Sequence, residues 1–205
     1  MEIINTIHTN TLVKESLKKA ISYQEYRGQV TTHTENGTSS GPQQSEALST
    51  YTLLNNSRMK RLDKTLKIDQ TISEKFQEYQ KNVTWLVLAE SWCGDAAHAM
   101  PVMNKLVTQA KNIDFKVLYR DENKELMDLF LTNGSMSIPK LIVFDNETQE
   151  VINDWGPSPL IIINKTKEFK ATHDTLTPEF KKEIQVWYNQ NKGKCIASDL
   201  LKLIE

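Results

Sequence analysis

The 205-residue sequence has only two cysteines, Cys93 and Cys195. Two cannot build a disulfide framework, so a reducing, cytoplasmic setting is the expected one. Nor can two hold a structural zinc alone. His8, His33, His98 and His173 show no ligand spacing with each other or with the cysteines, so neither a metal nor a cofactor is expected. An excess of charge is missing too. The 25 Lys and Arg stand against 26 Asp and Glu, a net charge of −1, which removes the electrostatic case for a nucleic-acid partner. The densest basic stretch, Arg58, Lys60, Arg61, Lys64 and Lys67, reads as a solvated helix face. No run approaches the ~20 apolar residues of a membrane span. The opening Met1-Glu2-Ile3-Ile4-Asn5-Thr6 lacks the basic-then-apolar order of a secretory signal, so no membrane partner is expected.

What is present falls into three stretches. Residues 1–80 read as helical and polar, without a strand signal. Leu12, Val13, Leu17 and Ile21 recur at helical spacing, and Tyr23 to about Thr34 continues the pattern up to the loop Asn36-Gly37-Thr38-Ser39-Ser40-Gly41-Pro42. Ser45 is placed to cap a helix with Leu48, Tyr51, Leu54 and Met59 on one side, and a further helix is expected over roughly Thr71–Lys81. This region is expected to be an extension packed on a central domain.

From residue 83 strands and helices alternate. Val83–Ala89 is a continuous apolar run, the mark of a strand covered on both faces. A helix over Cys93–Lys111 comes next, then the strand Phe115–Tyr119 and a short helix with Leu126, Leu129 and Phe130. Leu141–Phe144 and Glu150–Trp155 flank a turn and read as a hairpin. Helices are expected over Leu160 to about Thr172 and from Thr177-Pro178 to about Asn191, with a last amphipathic piece carrying Leu200, Leu201 and Ile204. The order predicts an α/β fold, a mixed central sheet flanked by helices. The domain reading is an extension over 1–80, a core over 81–172 and a C-terminal helical extension over 173–205.

The chemistry concentrates where the first strand ends. Glu90-Ser91-Trp92-Cys93-Gly94-Asp95-Ala96 delivers a thiol to a helix start, where unpaired N–H groups and the helix dipole favour the thiolate. A moderately lowered Cys93 pKa is expected, with the like charge of Asp95 opposing the dipole. His98, further along the helix, reads as a packed histidine rather than a general base, and Cys195 as a bystander thiol.

Four features in order carry a resemblance to the thioredoxin superfamily: Trp92-Cys93-Gly94-Asp95-Ala96, the helix-bending Pro101, the pair Ile138-Pro139 after Ser137, and the strand Leu141–Phe144. The likeness covers about residues 81–172, and the flanking segments are similar to uncharacterised bacterial thioredoxin-like proteins. It implies a thioredoxin-like fold, with Cys93 as catalytic nucleophile and Trp92, Gly94, Ile138 and a cis Pro139 forming the substrate-binding surface. Asp95 and Pro101 take supporting positions. Ala96 stands where the resolving cysteine of a dithiol site would be, and Val87 where such proteins often bury an acid. The implied activity is monothiol thiol–disulfide exchange with a protein or low-molecular-weight thiol, finished by an external thiol. A non-catalytic peptide-binding module and a redox sensor using Cys93, with or without Cys195, are the alternatives. The oligomeric state has no signature in the sequence.

Overall fold

The apolar run after Asn82 becomes the centre of a five-stranded sheet. The computed structural model describes residues 2–205, with side chains from Thr6 onward, so Met1 of the opening stretch lies outside the described residues. Strand β2 (Val83–Ala89) is buried at every position. It pairs in parallel with β3 (Ile113–Tyr119) and antiparallel with β4 (Lys140–Asp145), whose far side carries the antiparallel β5 (Glu150–Trp155). A two-residue strand β1 (Ile21–Ser22) adds to the outer edge of β3, giving the order β1-β3-β2-β4-β5. The sequence pattern puts Ile21 in a helix and no strand before Val83, which β1 corrects. A strand this short leaves no period-two pattern.

The helices cover this sheet. Helix α1 spans Glu2–Leu17 and α2 spans Tyr23–Glu35, the latter opened by a reciprocal Ser22–Glu25 capping box. Helix α3 (Glu46–Thr65) starts at the Ser45 cap, and α4 (Gln70–Glu78) stops short of the expected Lys81. Helix α5 (Gly94–Val107) is the central one, with Met100, Met103 and Leu106 buried, and it contains Pro101. A short 3₁₀ turn, Arg120–Glu122, precedes α6 (Lys124–Asp128). The chain closes with α7 (Leu160–Lys170), α8 (Pro178–Asn191) and α9 (Lys194–Leu201). No described helix is long and apolar enough to cross a membrane.

Helix α3 departs most from its sequence reading. Tyr51 and Leu54 are exposed, and the buried stripe is Thr52, Asn55, Met59 and Leu62, one position round. Half of this stripe is polar, so hydrophobic spacing alone selects the wrong face. Burying a hydroxyl and an amide is tolerable only where each finds a partner. Their partners lie at the thiol segment.

Candidate thiol site

The bend between β2 and α5 is built by two buried polar residues. Glu90 and Ser91 are 0% and 1% exposed. The Glu90 carboxylate accepts hydrogen bonds from the Ser40 hydroxyl and, at 2.9 Å, from the Asp121 backbone N–H. Its carbonyl accepts from Tyr26 at 3.3 Å. Burial raises the Glu90 pKa, against the hydrogen bonds it accepts. Ser91 and Ser40 are paired reciprocally. The Ser40 N–H donates to Ser91 Oγ at 2.9 Å, and the Ser91 N–H donates to Ser40 Oγ at 2.8 Å. Thr52 Oγ1 lies 2.9 Å from Ser91 Oγ, and Asn55 Nδ2 donates to the Ser91 carbonyl at 2.9 Å. The loop before α3 and the inner face of α3 therefore hold the backbone that delivers Trp92 and Cys93. Sequence reasoning misses Ser40, Thr52, Asn55, Glu90 and Ser91 as supporting residues. A small-polar stripe at helical spacing, Thr52 and Asn55, is the one available signal.

Cys93 is the N-cap of α5, with extended backbone, and its Sγ accepts from the Ala96 N–H at 3.4 Å. The S–H donates to the Ile138 carbonyl at 3.2 Å. The next bond, Ile138–Pro139, is cis. Gly156, at φ +125°, backs this loop so closely that a Cβ there would lie 2.1 Å from the Pro139 carbonyl oxygen, which excludes any side chain. Trp92 is partly buried, with the Arg120 guanidinium 5.1 Å from its ring centroid. Arg120 is itself paired with Asp121 at 2.8 Å.

The thiol is covered rather than open. Cys93 is 8% exposed. Burial pushes its pKa up to about 12, and the Asp95 carboxylate adds to the rise. The backbone N–H groups of Ala96 and Asp95 and the charge of Arg120 oppose it without prevailing. This corrects the expected lowering: the helix start does favour the thiolate, but the desolvation of a buried sulfur is larger. Asp95 acts in the expected direction.

Helix α8 supplies the cover. Tyr188 donates to Asp95 Oδ1 at 2.6 Å, and its ring stacks on His98 at 4.4 Å between centroids. His98 Nε2 lies 3.0 Å from Gln185 Oε1. Burial raises the Asp95 pKa to about 6 and lowers that of His98 to about 4. A Cβ on Gly94 would meet Gln185 Nε2 at 3.3 Å and Arg58 Nη1 at 3.9 Å. The bare backbone expected to admit a partner thus faces the chain's own α3 and α8. Gln185 and Tyr188 carry no local sequence signal, because their partners His98 and Asp95 lie far back along the chain.

The remaining residues stand apart. Pro101 is buried in α5, past the turns that carry the sulfur. Cys195 sits in α9, with Asn191 Nδ2 donating to its sulfur at 2.9 Å, and both cysteines are free thiols. The start of α9 packs where Gly193 meets Val102. Among the described residues no group of three or more His, Cys, Asp or Glu is placed to hold a metal ion.

A mixed five-stranded sheet flanked by helices, with a cysteine at the start of the central helix beside an X-Pro loop, defines a thioredoxin-like protein. The family model Thioredoxin_9, described as thioredoxin, matches residues 41–170, more than half of the chain, and the chain belongs to that family. The match begins in the loop before α3, so α3 and α4 lie inside it. Among solved structures, a protein of unknown function from Pseudomonas aeruginosa, PA1234, is similar with a TM-score of 0.57 at 15% identity. The similarity covers 74% of this chain and 84% of that one. An HIV epitope-scaffold is similar with a TM-score of 0.56 at 16% identity, covering 90% of this chain and 98% of the other. At these identities the likeness is one of fold. The comparison with curated proteins finds no match.

Proposed function

We propose that the protein carries out monothiol thiol–disulfide exchange. Cys93 forms a mixed disulfide with a protein or low-molecular-weight thiol, and an external thiol resolves it. The observation that carries this reading is the placement of Sγ between the Ala96 N–H and the Ile138 carbonyl, with an alanine in the resolving position. Ile138 O is both the resting partner of the thiol and a backbone group beside which an extended substrate can lie. Substrate arrival would take over that carbonyl and free the sulfur. Trp92 then offers an apolar surface, with Arg120 above it.

Burial raises the Cys93 pKa and so keeps the thiolate fraction low near neutral pH. Attack depends on the thiolate fraction, so the covered resting state is slow and the reaction should accelerate steeply up to high pH. The test is mass analysis of the separate Cys93 and Cys195 peptides after exposure to a small disulfide between pH 7 and 10. One added thiol on Cys93, removed by a second thiol, is the expected result. An unmodified Cys93 at pH 10 would end the reading.

The same burial favours one rival, a binding module in which Cys93 is a packing residue. Isolating bound partners with the wild type and with Cys93→Ser separates the two. Equal recovery under non-reducing conditions favours the module, while loss of a disulfide-linked partner favours exchange.

A further inference from the structure

The exchange reading leaves the substrate open, and two arginines narrow it. The chain has four, Arg27, Arg58, Arg61 and Arg120. Arg27 is paired with Asp63 at 3.0 Å and Arg120 with Asp121 at 2.8 Å. Arg58 and Arg61, one turn apart on α3, have no carboxylate partner among the described residues. Arg58 Nη1 donates to Asn55 Oδ1 at 2.8 Å and Arg61 Nη2 donates to Asn189 Oδ1 at 2.6 Å, both neutral amides. A basic face of this kind is ordinarily left in water, and Lys60, Arg61, Lys64 and Lys67 are indeed exposed. Arg58 is the exception. It is half-buried and lies 3.9 Å from the point where a Cβ on Gly94 would sit, next to the thiol residue. Burial and the charge of Arg61 both disfavour its ionised form. Both arginines hold down the pKa of His98 on α5, so both fields reach the thiol helix. The carboxylate on that helix, Asp95, accepts from Tyr188 and forms no ion pair with either arginine among the described residues.

We propose that Arg58 and Arg61 are a carboxylate-recognition subsite beside Cys93, which selects disulfides of small thiols that carry a carboxylate. The proposal rests on the exchange reading above. A guanidinium that is partly desolvated and hydrogen-bonded only to an amide has free N–H donors suited to a carboxylate, and such charge-assisted bonds strengthen away from water. The size of the partner is set by the cover. With Cys93 8% exposed and Gly94 enclosed by Gln185 and Arg58, a small molecule reaches the sulfur by displacing fewer side chains than a protein would. In the reaction, Cys93 S⁻ attacks one sulfur of R–S–S–R, forming Cys93–S–S–R and releasing R–S⁻, which takes up the proton that Cys93 gave up. A second small thiolate attacks the R-side sulfur and releases Cys93 S⁻. One disulfide enters and one leaves, so no further oxidant or reductant is consumed.

The test compares rates of Cys93 adduct formation, followed by peptide mass so that Cys195 is scored separately, with three disulfides of similar size. These are dianionic dithiodipropionate, neutral bis(2-hydroxyethyl) disulfide and dicationic cystamine. At low ionic strength the wild type is expected to prefer the dianion over the dication by roughly ten-fold or more, with the preference shrinking in salt. Arg58→Gln should remove most of it and Arg58→Gln with Arg61→Gln nearly all, while the neutral rate changes less than about two-fold. A wild type without charge preference, or a preference unchanged in the variants, overturns the subsite and leaves exchange standing. A neutral rate that falls with the others also overturns it, because Arg58 would then act on the thiol itself. No adduct with any of the three overturns the exchange reading and the subsite together.

Discussion

The thiol segment is held from two sides, and the two sides are built differently. On one side a buried hydrogen-bond network ties the bend itself, through the backbone and side chain of Ser91 and the carboxylate of Glu90. Ser40, Thr52 and Asn55 satisfy the groups of Ser91, and Ser40 with the Asp121 N–H satisfies Glu90. On the C-terminal side the contacts go to side chains: a Tyr188 hydroxyl on Asp95, a ring stack on His98, and Gln185 over Gly94. A network that pairs the buried polar groups of Glu90 and Ser91 fixes where the cysteine is. A layer of side chains over it decides what can reach it. The N-terminal helices are therefore part of the frame of the site, and α8 is its cover.

Damage to the frame should be the more costly. Ser91→Ala strands the Ser40 N–H in a dry interior, while the Thr52 hydroxyl keeps the Leu48 carbonyl at 2.9 Å, and one buried donor without a partner costs about 1–3 kcal/mol. Urea unfolding is expected to show a lower midpoint at unchanged slope. A loss no larger than that of an ordinary surface substitution, about 0.5 kcal/mol, would mean the frame does not bear on stability, and the contrast would fail.

The cover makes an acid-range prediction. Between pH 4 and 6 the folded chain holds a proton at Asp95 that the unfolded chain has released, while at His98 it lacks one that the unfolded chain has bound. The first contribution to stability is complete below the ordinary aspartate pKa and is lost as pH rises through about 6. The second is complete above the ordinary histidine pKa and is lost as pH falls toward about 4. The two oppose each other across one stack of residues. Asp95→Asn should leave a protein that weakens as pH drops from 6.5 to 4, and His98→Gln one that strengthens, each by on the order of 2 kcal/mol. Parallel curves for both variants and the wild type would show that these groups do not sense burial under α8.

Gln185→Ala is the mildest change. Loss of the Gln185 amide leaves the buried His98 Nε2 without its partner and should cost about 1 kcal/mol, while alkylation of Cys93 by a small neutral reagent at pH 8.5 rises several-fold as Gly94 loses its cover. An unchanged alkylation rate would return the covering role to Tyr188 and the helix backbone.

The sulfur's neighbourhood is legible in the sequence, and its supports are not. Trp92-Cys93-Gly94 and Ile138-Pro139 are contiguous motifs, and the strand and helix on either side of Cys93 have strong periodicity. Those parts are readable because the physics that makes them is local. The frame is not local. Asn55 meets Ser91 across 36 residues and Ser40 meets it across 51, through polar atoms that leave no hydrophobic period. The exposed side of α3 passes for its inner face for the same reason: Tyr51 and Leu54 look like core, and Thr52 and Asn55 do not. The thiol pKa runs opposite to its local signal because the burial that raises it comes partly from α8, a helix distant from Gly94 in sequence.

The reciprocal Ser40–Ser91 pair also bears on how the chain is made. During synthesis the loop and α3 emerge well before β2, so Ser40 has no partner until residue 91 has followed. Glu90 cannot be fully bonded until residue 121 is out as well. The thiol bend is thus closed by contacts of long sequence separation, which form late because their loops cost entropy before the contacts return it. A nascent chain stopped before residue 121 would carry Cys93 on an unfinished bend, less shielded than in the completed protein. The guarded sulfur is a property of the whole chain, acquired only after most of that chain has been made.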